Sequence, residues 1–260
     1  MNAKIIGSAG QTLVLAHGYG GSQSVWDYVL PDLAQRYRVV VFDWSFSGSI
    51  EPPIDFDTSR YSSYGAFSED LISLMDDMNL REITFVGHSM AGMIGCIAAV
   101  KRPDLFAQLV LLGASPRYLN AEGYEGGLKR TEVDEILTAI ESNFRTWAKT
   151  FCPPLIGVDH PDSIEKFERD FLRMRPEIAV SVARMVFMSD FRDVLEKVEV
   201  RCTIVQCTDD IVVPMTVAYY MQSKIKGRVS LELVESGHCP QLTAPQLLID
   251  ILDRVLIAGN

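Results

Sequence analysis

The stretch Phe85-Val86-Gly87-His88-Ser89-Met90-Ala91-Gly92 decides the expected fold. An apolar strand here runs into a small-x-Ser-x-small turn and then into a helix rich in small residues. Such a turn, the nucleophile elbow, holds one serine at the tip of a tight strand-to-helix bend, with its hydroxyl projecting from the end of a sheet. Ala91 stands where glycine is usual, so the weight of the motif depends on what surrounds it.

Composition limits the kinds of protein that this chain can be. Its 260 residues, 48% hydrophobic and 22% charged, predict one large α/β domain with a sizeable core. The net charge of -10 argues against binding to nucleic acid or to an anionic membrane surface. The chain shows no secretory signal and no apolar run of roughly 18 residues that could span a membrane.

The cysteines indicate the cellular compartment. There are 5 of them, an odd number, and none forms a C-x-x-C pair. This usage is typical of reduced thiols in the cytoplasm or nucleus rather than of disulfides or a zinc site. We expect no metal and no cofactor.

Most of the chain alternates between strands and helices. Continuous β-branched runs predict strands that are buried on both faces, as in a parallel sheet covered by helices. The segments at 5–6 and 12–16 flank a glycine-containing stretch and predict a hairpin. The other expected strands are 37–43, 82–86, 109–113, 203–206 and 230–234, and the expected helices are 24–35, 66–79 and 245–256.

Between residues 116 and 188 the alternation stops. Apolar residues recur at three- and four-residue steps from Val133 to Phe151, and two further helices are expected at 163–174 and 177–188. We therefore expect an α/β core made of residues 1–115 and 189–260, with a helical cap inserted at 116–188.

An activated serine needs a general base, which must follow it in the chain if this fold is present. The chain has 4 histidines. His17 and His88 precede Ser89, and His160 lies in the helical insert. That leaves His238, in a polar loop directly after an expected strand, as the candidate base.

The base in turn needs an orienting acid, and two adjacent aspartates compete for that role. Asp209 and Asp210 both follow the expected strand at 203–206. We expect Asp210 rather than Asp209, because the acid in this fold often stands four residues before a proline, here Pro214. Asp210 would hold the His238 imidazole in the tautomer that accepts the Ser89 proton.

The oxyanion formed during acyl transfer needs two backbone N–H donors. Met90, directly after the nucleophile, provides one. The glycine-rich loop at 17–21 follows an early buried strand, and Tyr19 provides the expected second donor. No Walker motif appears, and the early glycines do not form G-x-G-x-x-G before a helix, so nucleotide binding is not expected.

Seven segments together resemble a known family, the plant karrikin and strigolactone receptor hydrolases, which share their fold with a bacterial stress-response hydrolase. The resemblance covers nearly the whole chain, and the karrikin-type branch looks closer. The segments are HGYG at 17–20, QSVW at 23–26, FVGHS at 85–89, ASPRY at 114–118, YEGG at 124–127, MRP at 174–176 and GHCPQL at 237–242.

The resemblance implies an α/β-hydrolase fold whose cap of about four helices covers an apolar pocket above the serine. It implies a receptor, cytoplasmic and nuclear, that binds a small butenolide, hydrolyses it slowly, and signals through an F-box protein and a repressor protein. Carried over by position, the implied ligand-binding residues are Tyr19, Tyr118, Leu128, Ile136, Trp147, Phe151, Phe187, Ile211 and Val212. Leu128 and Tyr19 depart from the residues common in the family, so the shape and polarity of the pocket should differ.

Two alternative functions stay open from the sequence. One is a metabolic esterase or lactonase without a signalling role. The other is a non-catalytic ligand-binding module, although the complete set of Ser89, Asp210 and His238 argues against it.

Overall fold

One sheet organises the part of the chain that the computed structural model describes, which is residues 1–8, 10–50, 55–157 and 159–257. Seven strands of these residues form the sheet in the order β1-β3-β2-β4-β5-β6-β7. Every neighbouring pair is parallel except β1 with β3. The strands are β1 Lys4–Ile6, β2 Thr12–Ala16, β3 Arg38–Val41, β4 Ile83–His88, β5 Phe106–Leu112, β6 Arg201–Cys207 and β7 Val229–Val234.

Helices cover this sheet and confirm the expected α/β class. All residues of β4 are buried, which requires cover on both faces of the sheet. The helices are α1 Leu30–Arg36, α2 Tyr64–Asp77, α3 Met90–Lys101, α4 Arg130–Ile156, α5 Pro161–Phe171, α6 Pro176–Met188, α7 Arg192–Leu195, α8 Met215–Lys224, α9 Pro240–Thr243 and α10 Pro245–Ile257.

Two local predictions were wrong. β1 does not form a hairpin with β2 but pairs antiparallel with β3, because β2 already has β3 on one side and β4 on the other. Ala9, inside the predicted turn, lies outside the described residues. The helix predicted at 24–35 is instead a short 3-10 turn, Gln23–Trp26, followed by α1. Pro31 fits the first turn of α1, because proline has no N–H and the N–H groups of a first turn have no acceptor within the helix.

The segment between β5 and β6 contains the predicted helices α4, α5 and α6. Helix α4 bends at Asn143, whose φ of -160° and ψ of 84° are not helical, so the described residues of the insert form four helical segments. Both α5 and α6 pack against α4. The division of the chain at residues 116 and 188 into core and cap remains a prediction.

The elbow after β4 depends on small residues. A Cβ on Gly87 would lie 2.6 Å from the backbone nitrogen of Gly92, and one on Gly92 would lie 2.6 Å from Ala114 Cβ. Strand and helix are therefore in backbone contact at this turn, as its sequence predicts. Ala91 is fully buried beside them.

Among the helices that the described residues form, none is both long and apolar enough to cross a membrane.

Substituting Gly87→Ala should destabilise the fold, because the new methyl group meets backbone atoms that cannot rotate away. We expect the free energy of unfolding in urea to fall by about 1–3 kcal/mol. Gly65→Ala in the first turn of α2 is the control, since its nearest neighbour is a side-chain oxygen, Ser63 Oγ, at 3.3 Å. Equal stability of the two variants would contradict the close approach.

Candidate active site

Ser89 connects β4 to α3 in a conformation that few side chains adopt. Its backbone has a φ of 56° and a ψ of -125°, and a positive φ is uncommon for a residue that carries a Cβ. Its N–H donates to the carbonyl oxygen of Leu112 at 2.8 Å, which ties the turn to the end of β5. Non-glycine residues at positive φ persist where the surrounding structure fixes them, often at functional sites.

His238 and Asp210 meet at the carboxyl ends of β7 and β6. Nδ1 of His238 lies 2.7 Å from Oδ2 of Asp210, and the side chains are 5% and 0% exposed. Oδ1 of the same carboxylate accepts from the N–H groups of Val212 at 2.8 Å and Val213 at 3.0 Å. The adjacent Asp209 is exposed. The structure therefore places Asp210, the aspartate that the spacing to Pro214 favours, in contact with His238, the expected base.

The environment of Asp210 favours its charged form. Burial opposes ionisation, but the neighbouring His238 and the two backbone N–H donors lower the pKa of Asp210 below its ordinary value of 3.8. A carboxylate that is ionised at neutral pH can hold Nδ1–H of the imidazole, which leaves Nε2 free to accept a proton.

The hydroxyl of Ser89 has a tyrosine neighbour. Ser89 Oγ lies 3.3 Å from the hydroxyl oxygen of Tyr118, and either group can donate. Burial raises the pKa of Tyr118 well above its ordinary value, so the phenol stays protonated. When Tyr118 donates, the proton of Ser89 is available to His238, which lines the same pocket.

The glycine-rich loop after β2 approaches Ser89 so closely that only glycine can occupy position 18. A Cβ there would lie 2.9 Å from Ser89 Cβ. The carbonyl oxygen of Gly18 accepts from Gly21 N–H at 3.3 Å and lies 2.9 Å from His17 Nδ1. Because the peptide unit is planar and trans, its N–H, which belongs to Tyr19, points away from that oxygen. These contacts fix the direction of the N–H that the sequence assigns to the oxyanion.

His17 holds this loop as a neutral imidazole. Burial lowers the pKa of His17, against the raising effect of Asp43. One tautomer satisfies both of its contacts, because Nδ1–H then donates to Gly18 and Nε2 accepts from Trp44 N–H at 3.2 Å. The second expected donor, Met90, is the first residue of α3, where N–H groups have no partner within the helix.

Sequence reasoning missed a role for His88. Its Nε2 lies 2.8 Å from the carbonyl oxygen of His238, and the two ring centroids are 4.9 Å apart. Burial, followed by the charge of His238, lowers the pKa of His88 to about 3, so the ring is neutral and donates this hydrogen bond. Its place directly before the nucleophile on a fully buried strand is the signal that could have revealed it.

A narrow cavity opens above Ser89 and His238. Five of the residues carried over by resemblance line it, and two others, Leu155 and Val186, were missed. Both lie within one turn of expected residues, Phe151 and Phe187, on α4 and α6. The five expected residues in the lining are Tyr19, Tyr118, Phe151, Phe187 and Val212.

The other four carried-over residues lie outside this lining. Ile211 is 56% exposed, because the turn that buries the Asp210 carboxylate leaves the next side chain in solvent. Trp147 supports the lining from behind, with its ring stacked on Phe151 at 4.7 Å. Leu128 donates its N–H to the Tyr118 carbonyl oxygen at 3.0 Å. Ile136 is half-buried on α4 before the bend.

Across 1–8, 10–50, 55–157 and 159–257, no group of three or more His, Cys, Asp or Glu side chains is placed to hold a metal ion.

The chain is similar to known proteins over almost its whole length. The profile of the alpha/beta hydrolase family matches residues 13–251. The chain is 40% identical to strigolactone esterase D14 of Arabidopsis thaliana over 257 residues, 98% of the chain and 96% of the relative. It is 42% identical to karrikin insensitive 2 receptor CA of Petunia hybrida over 255 residues, 97% and 94% of the two proteins. A solved hydrolase from Oleispira antarctica, 29% identical, superposes with a TM-score of 0.93 and covers 100% of this chain and 95% of its own.

A serine on a strand-to-helix elbow, a mostly parallel sheet and a buried histidine–aspartate pair are typical of a class of hydrolytic enzymes. The chain belongs to the alpha/beta hydrolase family and, within it, to the group that contains the strigolactone and karrikin receptor hydrolases. It is a hydrolase.

The two aspartates after β6 should differ sharply in their effect on hydrolysis. Asp210→Asn removes the carboxylate that orients His238, and comparable changes elsewhere lower kcat by about 10⁴-fold. Asp209→Asn changes an exposed side chain one residue away and should leave kcat within about twofold. Turnover of 4-nitrophenyl acetate measures both variants, and an equal loss in both would contradict the assignment.

The Asp210 carboxylate should also make stability depend on pH. A pKa that is lower in the folded than in the unfolded state stabilises the fold above the unfolded-state value, and this contribution is lost as the pH falls through the folded-state pKa. The difference in unfolding free energy between wild type and Asp210→Asn should therefore be smaller at about pH 3 than at about pH 5. Urea titrations at both values measure it, and a difference that grows on acidification would contradict the lowered pKa.

Proposed function

We propose that this protein is a serine hydrolase that serves as a receptor for a small butenolide and cleaves it slowly. The observation that carries the proposal is the 2.7 Å contact between His238 and Asp210 beside a cavity that also contains Ser89. Support for the receptor role comes from the relatives, which are named as strigolactone esterases and karrikin receptors.

In the proposed reaction, Ser89 Oγ attacks the carbonyl carbon of the ligand while His238 takes the hydroxyl proton. The carbonyl electron pair moves onto oxygen, and the N–H groups of Tyr19 and Met90 stabilise the resulting oxyanion. His238 then gives its proton to the leaving oxygen as the acyl bond breaks. A water molecule, deprotonated by His238, releases the acyl group from Ser89.

The cavity favours a small uncharged ligand. Its lining consists of aromatic and aliphatic side chains, with polar atoms supplied by Ser89, His238 and two tyrosines. The Tyr19 hydroxyl is occupied, because it donates to the Ala179 carbonyl oxygen at 2.8 Å. A charged ligand would lose its hydration without gaining a counter-charge, whereas a compact unsaturated lactone presents one carbonyl to Ser89 and apolar edges to the walls.

A receptor of this kind must report binding to other proteins. By resemblance, the proposed partners are an F-box protein and a repressor protein, and the proposed location is the cytoplasm and nucleus. The identities of 40% and 42% to a strigolactone esterase and a karrikin receptor do not separate the two ligand types.

A second candidate, a metabolic esterase or lactonase without a signalling role, is favoured by a different observation. A 3-oxoadipate enol-lactonase of Acinetobacter baylyi is 21% identical over 248 residues, 95% of this chain and 89% of that protein. The catalytic geometry is the same for both candidates, so only ligand response and partner binding distinguish them.

A panel of butenolides, including karrikins and a strigolactone analogue, should discriminate between these candidates. We expect at least one to change the melting temperature of the wild type and to be hydrolysed slowly by it. Ser89→Ala should bind that ligand without cleaving it, and Ser142→Ala, at an exposed serine, is the matched control. If no member of the panel changes the melting temperature, the receptor function is wrong.

Partner capture is the second arm of this test. A labelled F-box protein should be retained by the wild type only when an active butenolide is present. Fast hydrolysis with no retention at any ligand concentration would establish the metabolic esterase instead.

A further inference from the structure

A carboxylate of the helical insert lies buried against the loop that carries the oxyanion donor. Asp170, on α5, is 7% exposed. Its Oδ2 accepts from Ser22 Oγ at 2.6 Å and also from Ser24 Oγ. Ser22 Oγ accepts in turn from Ser24 N–H at 3.1 Å. One buried carboxylate oxygen thus accepts from both hydroxyl groups and holds the pair of serines together.

The two serines continue directly from the turn that sets the direction of Tyr19 N–H. That turn closes with Gly21 N–H on the Gly18 carbonyl oxygen, and Ser22 is the next residue. The ring of Phe171 lies edge-on to the Tyr19 ring, with centroids 5.0 Å apart. A Cβ on Gly20 would approach the same phenylalanine to 2.9 Å. Tyr19 and Gly20 thus pack against the insert, and the two serines that follow the loop are hydrogen-bonded to it.

We propose that Asp170 is a positioning residue for hydrolysis, which holds the Tyr19 N–H in place through Ser22 and Ser24. As a consequence, the position of α5 in the insert affects the position of the oxyanion donor. A displacement of α5 disturbs the oxyanion site while the 2.7 Å contact between His238 and Asp210, which involves no residue of α5, is kept. This role rests on the proposed function of Ser89 and of the Tyr19 N–H.

The same helix offers a matched control. Lys166 lies one turn before Asp170 and also bridges α5 to the core, with its Nζ 2.6 Å from Asp27 Oδ2. That contact involves an exposed carboxylate beyond the 3-10 turn and does not reach the glycine-rich loop. Removing it weakens the attachment of α5 without touching the serines.

The test measures kcat and KM for 4-nitrophenyl acetate in the full-length protein. Asp170→Leu keeps the approximate size but has no acceptor. We expect its kcat to fall by at least about tenfold with KM within about twofold, a smaller loss than the roughly 100- to 1,000-fold cost of removing an oxyanion donor altogether. Asp170→Asn keeps one oxygen that both serines can reach, so its kcat and that of Lys166→Ala should stay within about threefold of the wild type.

Three outcomes would overturn the role of Asp170. They are a wild-type kcat in Asp170→Leu, a loss in Asp170→Asn as large as in Asp170→Leu, or an equal loss in Lys166→Ala. If Asp170→Leu does not fold, a triple variant takes its place, with Ser22→Ala and Ser24→Ala added to Asp170→Asn. It removes the same hydrogen bonds without leaving a buried carboxylate unpaired, and it must show the same loss of kcat. The rate of Ser89 labelling by a fluorophosphonate, whose phosphoryl oxygen occupies the oxyanion site, should fall in parallel.

The proposed function fails separately from this role. Turnover by the wild type that Ser89→Ala abolishes establishes the serine chemistry whatever the Asp170 variants do. A wild type that neither turns over the ester nor reacts with the fluorophosphonate would overturn both.

Discussion

The common direction of strands β2, β4, β5, β6 and β7 is the constraint on which the site depends. Parallel strands bring their carboxyl ends to one edge of a sheet, where ligands of α/β proteins bind. The glycine-rich loop follows β2, Ser89 follows β4, and Asp210 and His238 follow β6 and β7. Gly113 follows β5 with a φ of 53°, which favours glycine, and lies beside the His238 ring, since a Cβ there would be in van der Waals contact with the ring at 3.4 Å. Residues far apart in the chain are therefore neighbours because of sheet topology alone.

Division of labour between sheet and insert follows from this arrangement. The edge of the sheet carries Ser89, His238 and Asp210, the proposed nucleophile, base and acid. The walls of the cavity come largely from α4 and α6, through Phe151, Leu155, Val186 and Phe187. The proposed catalytic side chains and most of the apolar cavity wall thus come from different parts of the chain. The buried Asp170 is one of the residues through which hydrogen bonds join the two parts.

Sequence reasoning is most specific where one local constraint has one solution. The elbow needs small residues, and the chain order leaves only His238 for the base. The spacing to Pro214 favours Asp210 but gives no physical reason. The structure provides one, because backbone N–H groups of the following turn donate to the Asp210 carboxylate. Prediction of the cavity was weaker, because Trp147 and Phe151 share a helical spacing and only packing decides which faces inward. The bend at Asn143 and the pairing of β1 with β3 depend on tertiary contacts that no local pattern encodes.

The central claim is that Ser89 is the nucleophile that His238 activates. Peptide mapping by mass spectrometry after reaction with a fluorophosphonate tests it most directly. We expect one adduct in the wild type, on the peptide that contains Ser89. We expect no adduct in His238→Ala, because the proton acceptor is missing. An adduct on another serine, or equal labelling of Ser89 in the His238→Ala variant, would contradict it.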